Sequence, residues 1–199
     1  MLEHVRGVKM SYADEKMIKA MNTYKEGVQG NIEEGILIKE EQYIFEEIGL
    51  FDSKMYIMLP KSFQDMPAEQ AKLKYPIEQR PQVIKTNERT DINFTFSLLE
   101  QPIANRQVKL MRDSLKRVLR SARPDMKFLE DGLEEIEDHT IGWFEFISNG
   151  IDGKLYNIMY FTPIDGKLMQ GIFNCPAKES QNWKVVAMQV MNTIKEGRQ

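Results

Sequence analysis

The sequence lacks most features that would assign a function directly. It has one cysteine among 199 residues, which excludes an internal disulfide framework. Its two histidines, His4 and His139, are far apart in the chain, so no zinc-like spacing is present. No apolar run approaches the roughly 18 residues of a membrane span. Residues 1–10 also lack the apolar stretch of a secretory signal. We therefore expect a cytoplasmic protein with no membrane span.

Motifs for catalysis or cofactor binding are missing as well. The chain has no glycine-rich phosphate loop, no nucleophile elbow and no Cys-x-x-Cys pair, so we expect neither a cofactor nor a metal. Lys and Arg total 27 against 30 Asp and Glu, a net charge of −3. This balance argues against a nucleic-acid binder, which neutralises many phosphates with basic side chains.

Hydropathy patterns divide the chain into two parts. Met17, Met21 and Tyr24 recur at helical spacing and predict an amphipathic helix at about 14–25. We interpret residues 1–33 as a helical appendage and residues 34–199 as a single domain. The stripe of Met17, Met21 and Tyr24 also offers a surface for homodimerisation.

The second part has strand and helix patterns in a definite order. Strands are predicted at 36–45, 55–59, 82–86 and 92–98, a short helix at 67–74, a long basic helix at 104–122, a β-meander at 141–175 and a last helix at 180–195. Ser180 is the predicted N-cap of the last helix. Both faces of the meander are apolar, so both need covering. The predicted fold class is therefore α+β, a mostly antiparallel sheet with helices packed on both faces (an α/β/α sandwich).

Two Asp-Gly pairs, at 152–153 and 165–166, predict tight turns within the meander. A two-residue loop fixes the pairing of the strands that it joins. The resulting register places Glu145 opposite Tyr160, with Gly171 one strand further, and Trp143 in a row with Met169.

The order of elements resembles that of the PsbP-like superfamily, which includes photosystem subunits, Ran-binding factors and bacterial DcrB-type proteins. The matching features are the segment MYIMLPKSF at 55–63, the two Asp-Gly hairpins and a closing helix that carries Trp183. The resemblance spans residues 36–194. It implies a non-enzymatic protein that binds another protein, and some bacterial relatives resemble chaperones that hold hydrophobic segments.

The leading hypothesis is therefore a protein-interaction module that holds an apolar segment of a partner on one sheet face or its rim. Thioether side chains suit an adaptable apolar surface, and four methionines lie in predicted strands: Met55, Met58, Met159 and Met169. The rival hypothesis is a small-molecule binder or enzyme with a pocket around Trp143, Glu145 and Tyr160. A buried Glu145 with a raised pKa would act as general acid or base there. Its alternative role is a structural hydrogen bond to a tyrosine or an arginine.

Two charged segments provide further candidates. Arg112, Lys116 and Arg120 on the basic helix form a potential docking face for an acidic or phosphate-bearing partner. Alternatively, this face is solvated and its charge is balanced by the acidic run at 130–138, which we interpret as a charged strand edge. Cys175 is interpreted as a buried structural thiol, because the derived register places His139 far from it.

Overall fold

The computed structural model describes residues 27–136 and 139–197. The predicted helix at 14–25 lies outside them. The first half of the described chain contains eight strands and one helix. These are β1 (Val28–Asn31), β2 (Gly35–Ile38), β3 (Glu41–Tyr43), β4 (Phe45–Leu50), β5 (Met55–Pro60), β6 (Gln64–Asp65), α1 (Ala68–Lys74), β7 (Val83–Thr86) and β8 (Asn93–Pro102).

The second half contains two helices and five strands. A 3₁₀ turn, Asn105–Gln107, leads into the long helix, and a second, Ala177–Glu179, leads into the last one. The elements are α2 (Val108–Ala122), β9 (Lys127–Ile136), β10 (His139–Gly150), β11 (Gly153–Ile164), β12 (Lys167–Pro176), α3 (Ser180–Met191) and β13 (Lys195–Glu196). The predicted α+β class is confirmed.

A seven-stranded sheet forms the centre of the fold, in the order β6-β7-β8-β12-β11-β10-β9. All of its neighbouring strands are antiparallel. Two three-stranded sheets accompany it, β1-β2-β3 and β13-β5-β4. The long strand β9 is one edge of the central sheet, so the acidic residues at 130–136 lie on a strand edge, as predicted.

The two faces of the central sheet pack against different elements. On one face, Val108 of α2 joins a buried cluster with Phe144, Phe161 and Leu168. On the other face, α3 contributes five buried side chains to the main core, which it shares with the sheet: Trp183, Val186, Ala187, Val190 and Met191. Phe173 of β12 stacks on the Trp183 ring, with the ring centroids 6.2 Å apart.

The register of the meander agrees with prediction in one hairpin and not in the other. Asp165 and Gly166 both have positive φ, and the predicted pairing of β11 with β12 is confirmed. In the first hairpin, Gly150 pairs with Gly153, so the loop is Ile151–Asp152. Among residues 150–153, only Gly153 has positive φ, at 126°. The pairing of β10 with β11 is therefore shifted by two residues from the prediction.

That shift changes the partners of the candidate site residues. Trp143, not Glu145, lies opposite Tyr160, and Glu145 pairs with Ile158. The prediction that Glu145 faces Tyr160 directly is wrong. A shift of two residues keeps every side chain on its predicted face, because side chains alternate with period two.

Two smaller predictions are also corrected. The predicted strand at 36–45 is divided into β2 and β3, with a turn between them in which Lys39 adopts φ of 57°, and Phe45 already begins β4. Ser180 is not an N-cap. Its hydroxyl donates to the carbonyl of Ala177 at 2.7 Å, within the 3₁₀ turn that precedes α3.

Candidate functional site

Most of the sequence-predicted site residues lie in the core. Trp143 is 7% exposed, Glu145 1%, Tyr160 2% and Met169 0%. All four belong to the face that α3 covers, and burial raises the pKa of the Tyr160 hydroxyl. None of them offers a surface to a partner in this arrangement. Their part in binding stays a prediction.

The buried carboxylate of Glu145 has a cationic partner from the last helix. Lys184 Nζ lies 2.8 Å from Glu145 Oε1 and 2.9 Å from Oε2 of Glu130 on β9. Partial burial opposes the charge of the ammonium, but its hydrogen bonds to both carboxylates raise the pKa of Lys184. The Tyr156 hydroxyl is a further neighbour, and burial and the Glu145 carboxylate raise its pKa. This arrangement pairs the buried charge with a lysine, a partner that the sequence did not indicate.

Charges on the long helix pair with acidic groups around them. Arg112 is 8% exposed, and its Nη2 lies 2.6 Å from Asp113 Oδ1, while Nη1 lies 3.3 Å from Asp131 on β9. Lys116 also pairs with Asp131. Arg120 lies over the Phe128 ring, 5.1 Å from its centroid. Two of the three predicted docking cations therefore engage carboxylates of the same chain.

Cys175 is fully buried, and burial raises the pKa of its thiol. It pairs with Tyr156 across β11 and β12, as predicted. His139 lies at the opposite end of the meander, at the start of β10.

The described residues contain no cluster of three or more His, Cys, Asp or Glu side chains that would hold a metal ion. No described helix is both long enough and apolar enough to cross a bilayer.

An open groove of about 520 Å³ lies at the end of the sheet that carries the β10–β11 loop. Four parts of the chain line it. They are the end of α1 with the residues after it (73–76), the start of β8 (Asn93), the loop region at 149–155 and the end of β12 (Asn174 and Pro176). The groove was not predicted, because its residues come from four distant segments.

The floor of the groove belongs to a polar row that crosses four strands. Asn157 of β11 pairs with Asn174 of β12, Asn174 with Asn93 of β8, and Asn93 with Thr86 of β7. All four side chains are buried. They lie on the same face of the sheet as α2. The neighbouring row of cross-strand pairs on this face includes Phe144 and Met159, which are apolar. The helix thus covers apolar rows, and the polar row borders the groove.

Three residues of this row, Thr86, Asn93 and Asn174, form a series of hydrogen bonds that runs in one direction, towards the groove wall. The Thr86 hydroxyl donates to Asn93 Oδ1 at 2.6 Å, and Asn93 Nδ2 donates to Asn174 Oδ1 at 2.8 Å. Asn174 Nδ2 then donates to the Tyr75 hydroxyl at 3.1 Å. Burial raises the pKa of Tyr75, although the bond from Asn174 opposes this effect. No described residue accepts the proton of the Tyr75 hydroxyl. The row therefore ends in a neutral donor at the groove.

The rim of the groove is apolar and exposed. Leu73 of α1 is 66% exposed and Ile151 of the β10–β11 loop is 73% exposed. Single exposed aliphatic side chains are ordinary on protein surfaces, but these two line the same cavity. The charged residues that line it are two lysines and two aspartates, Lys74, Lys154, Asp91 and Asp152. The groove is thus close to electrically neutral and combines apolar rims with one hydroxyl donor.

No protein-family model matches the sequence, and no curated protein matches it. Solved structures do resemble it. Cyanobacterial PsbP from Synechocystis has 11% identity and a TM-score of 0.57, covering 76% of this chain and 92% of its own. LpqN of Mycobacterium tuberculosis, described as involved in cell envelope biogenesis, has 10% identity and a TM-score of 0.50, covering 96% and 100%.

A further match is the Ran-binding protein Mog1p of Saccharomyces cerevisiae, with 10% identity and a TM-score of 0.48, covering 77% of this chain and 96% of that one. At such identities, structural likeness is evidence of a shared fold and not of a shared function. The order of elements, the central antiparallel sheet and the match to PsbP agree with the resemblance inferred from the sequence. The chain has the PsbP-like fold.

Proposed function

We propose that this protein is a non-enzymatic interaction module that holds an uncharged, apolar segment of another protein in the groove, in a chaperone-like manner. The groove itself supports the proposal most strongly. It is a cavity of about 520 Å³ with two exposed aliphatic side chains, Leu73 and Ile151, on its rim. These two side chains line the cavity and yet stay largely exposed to solvent. A bound polypeptide would cover them more fully than a small molecule would.

The chemistry of the lining favours a peptide segment over a charged ligand. Two lysines and two aspartates balance each other, so the groove selects neither an anion nor a cation. Lys74 donates to Thr90, and Asp91 accepts a hydrogen bond from Asn87 at 2.7 Å, so both already have partners. In the floor, Asn93 donates to Asn174, and Asn157 donates to the Ser148 hydroxyl at 2.9 Å. What remains for a partner is apolar contact, a neutral donor, and the opposite charges of Lys154 and Asp152, which balance each other.

The Tyr75 hydroxyl is the donor that we assign to the partner's backbone. A peptide carbonyl oxygen is a neutral acceptor, and every segment in extended conformation presents carbonyls along its length. The directional bonds from Thr86 to Tyr75 orient the hydroxyl, because Asn174 uses one of its lone pairs and leaves its proton for the groove. Apolar partner side chains would then contact Leu73 and Ile151.

Capture from an extract of the source cells, with the tagged full chain as bait, tests this function. We would compare the unmodified chain, a Leu73→Asp/Ile151→Asp chain and a Leu110→Asp control. Leu110 is 69% exposed on α2 and does not line the groove. We expect one stoichiometric protein that the unmodified chain and the control retain and the groove variant loses. Equal retention by all three chains would overturn the proposal.

Tyr75→Phe sharpens the test with the captured partner. Overlapping peptides of the partner, each labelled with fluorescein, would be titrated with the chain and followed by fluorescence polarisation. We expect the binding peptide to be apolar. We expect Tyr75→Phe to weaken it about 3- to 10-fold, the loss of one net hydrogen bond. A binding peptide that is strongly charged, or an affinity that Tyr75→Phe leaves unchanged, would contradict the assigned chemistry.

The expectation that the protein is located in the cytoplasm stays a prediction.

A further inference from the structure

We infer that β9 is a second interaction surface, which binds an extended segment of another protein that carries two adjacent basic residues. The segment would pair with β9 and extend the central sheet by one strand. Addition of a strand to an exposed sheet edge is a recurring mode of peptide recognition. The inference is independent of the function proposed for the groove, because no residue of β9 lines that groove.

The edge that β9 presents is long and unpaired on one side. The strand has 10 residues, Lys127–Ile136, and is the last in the order of the central sheet, so within the described residues its strand partner is β10 alone. Its pairing with β10 is regular from Asp131 to Ile136, after a bulge opposite Glu145. Unpaired backbone N–H and C=O groups along an edge can pair with another chain. The regular part of β9 is therefore a template for an added strand.

Two acidic side chains on this template, Glu134 and Glu135, are available to a partner. Glu130 and Asp131 already pair with Lys184 and with cations of α2. By contrast, no described residue forms an ion pair or a side-chain hydrogen bond with the carboxylate of Glu134 or Glu135. As neighbours in a strand, these two residues point to opposite faces of the sheet. Two adjacent basic residues of an added strand do the same, so one such pair would meet both carboxylates.

A buried donor without a partner lies beside these charges. Trp143 is 7% exposed, and its Nε1 forms no hydrogen bond to any described residue. This nitrogen lies over β9, 2.9 Å from where a Cβ on Gly132 would be. Gly132 and Glu134 are two residues apart and share one face of the sheet. A strand that placed a basic residue beside Glu134 would place another side chain beside Gly132, where a side-chain oxygen could accept the Trp143 N–H. Such a bond favours the bound state, because an unpaired buried donor is costly.

The charge of this edge selects a basic partner over a second copy of the same chain. If two β9 strands paired in antiparallel fashion about the centre of the acidic stretch, Asp131 would lie opposite Glu134, and Glu130 opposite Glu135. Like charges directly opposite each other destabilise a strand pair. A basic strand in the same position places opposite charges together. The acidic edge therefore discourages self-association and favours a segment with two adjacent lysines or arginines.

Titration of the full chain with defined peptides tests the inference. The probe is a fluorescein-labelled peptide of about eight residues, a typical strand length, in which valines and threonines flank a central Lys-Lys pair. One comparison peptide has Glu-Glu at the centre, and another keeps Lys-Lys but has prolines in place of the valines, which prevents pairing as a strand. We expect the probe to bind roughly tenfold or more tightly than either comparison peptide in fluorescence polarisation at low salt. Equal affinities for the three peptides would overturn the inference.

Charge reversal on two edge strands locates the site. Glu134→Lys/Glu135→Lys should weaken binding of the probe roughly tenfold or more. The matched control is Glu46→Lys/Glu47→Lys, which makes the same change in charge on β4, the edge strand of a smaller sheet, where Glu47 already pairs with Lys195. We expect the control to keep its affinity within about twofold. Equal losses in both variants would show that net charge alone attracts the peptide and would overturn the inference.

Amide hydrogen exchange shows whether the bound peptide lies along the edge. Saturating probe should slow exchange at 131–136 of β9 and leave 45–50 of β4 unchanged, because an added strand protects the N–H groups that it pairs with. Unchanged exchange at β9 would overturn the inference, and so would a dimer in sedimentation that Glu134→Lys/Glu135→Lys dissociates.

The groove variant keeps this inference distinct from the proposed function. Leu73→Asp/Ile151→Asp should bind the probe as tightly as the unmodified chain. Loss of probe binding in that variant would place the peptide in the groove and overturn the inference. Failure of the probe to bind at all would also overturn it and would leave the function proposed for the groove standing.

Discussion

Trp143 on β10 and Tyr160 on β11 lie directly opposite each other. The Trp143 ring lies over Gly132 of β9, and the Tyr160 ring lies over Gly171 of β12. A Cβ added to Gly132 would lie 2.7 Å from the Trp143 ring, and one added to Gly171 would lie 2.2 Å from the Tyr160 ring. Gly132 pairs with Trp143 and Gly171 with Tyr160. The two glycines provide the space in which these buried rings lie.

Gly171→Ala is therefore expected to lower the free energy of unfolding by about 1–3 kcal/mol, as a methyl group forced into a packed core does. Urea unfolding followed by tryptophan fluorescence measures the change. The matched test is the same substitution in a Tyr160→Leu background, where the ring no longer occupies the space. An undiminished cost of Gly171→Ala in that background would refute the role of ring packing.

The pair of Lys184 and Glu145 predicts a second stability effect. Lys184→Met leaves the carboxylate of Glu145 buried without its cation. Breaking a fully buried pair costs about 3–5 kcal/mol. We expect about 2–3 kcal/mol because the Lys184 side chain is 34% exposed and solvent screens its charge. The control is Lys195→Met, whose partner Glu47 is 45% exposed, with an expected cost below about 1 kcal/mol.

The difference in unfolding free energy between the native chain and Lys184→Met should depend on pH. The pKa of Lys184 is raised above 10.5 in the folded chain. The contribution of the ammonium to stability is therefore complete below about pH 10.5 and is lost as the pH rises through the folded pKa. The gap in stability between the native chain and Lys184→Met should narrow above that pH. A gap that stays constant from pH 7 to pH 11 would contradict the ion pair.

Arg112 on the long helix predicts a third effect. Arg112→Met removes hydrogen bonds to Asp113, and bonds to charged groups contribute about 1.5–3 kcal/mol each. Arg117→Met, at an exposed position on the same helix, should change stability by less than about 0.5 kcal/mol. Equal effects of the two substitutions in urea unfolding would show that the pairing of Arg112 is immaterial.

Acid sensitivity provides an independent check on the same contact. Hydrogen bonds from Lys109 and Arg112 lower the pKa of Asp113 below 3.8. The contribution of Asp113 is therefore complete above about pH 3.8 and is lost as the pH falls through the folded pKa. In Arg112→Met the folded pKa of Asp113 lies closer to 3.8, so the loss should be smaller and should be complete at a higher pH. Acid titrations of both chains, followed by circular dichroism, measure the shift.

The thiol of Cys175 predicts a fourth result. It is fully buried and its pKa is raised, so the folded chain should react with Ellman's reagent at pH 8 only as fast as it opens. We expect the labelling rate to be at least 100-fold below that of the chain in 6 M guanidinium chloride. Rapid labelling of the folded chain would mean that the end of β12 is open.

The sequence predicted the sheet well where local turn chemistry decides the register. At Asp165 and Gly166 both residues adopt the positive φ that a two-residue turn requires, and the pairing of β11 with β12 follows. The same reasoning placed the first turn one residue too far along the chain. The partner of Glu145 was inaccessible by this route, because Lys184 reaches it from a helix packed on the sheet and not from a neighbouring strand.

The groove was missed although part of its signal was present. Asparagine is disfavoured within strands, and the correctly predicted register of β11 and β12 already places Asn157 beside Asn174. Two adjacent asparagines inside a sheet indicate a polar site on one face. Extending that row to Asn93 and Thr86 required the pairing of β8 with β12, which joins segments far apart in the chain and which no turn specifies.

The hydrogen bond between Asn93 and Asn174 also has a consequence for the order of folding. It joins residues 81 positions apart, whereas the strands of the β9–β12 meander pair with their sequence neighbours. Local pairings form at a lower cost in chain entropy than distant ones. We expect the meander to form first and β8 to join it later. A partly folded chain, with the meander formed and β8 not yet paired, would then lack Asn93 at the floor of the groove. The ability to bind a partner would therefore report the completion of folding.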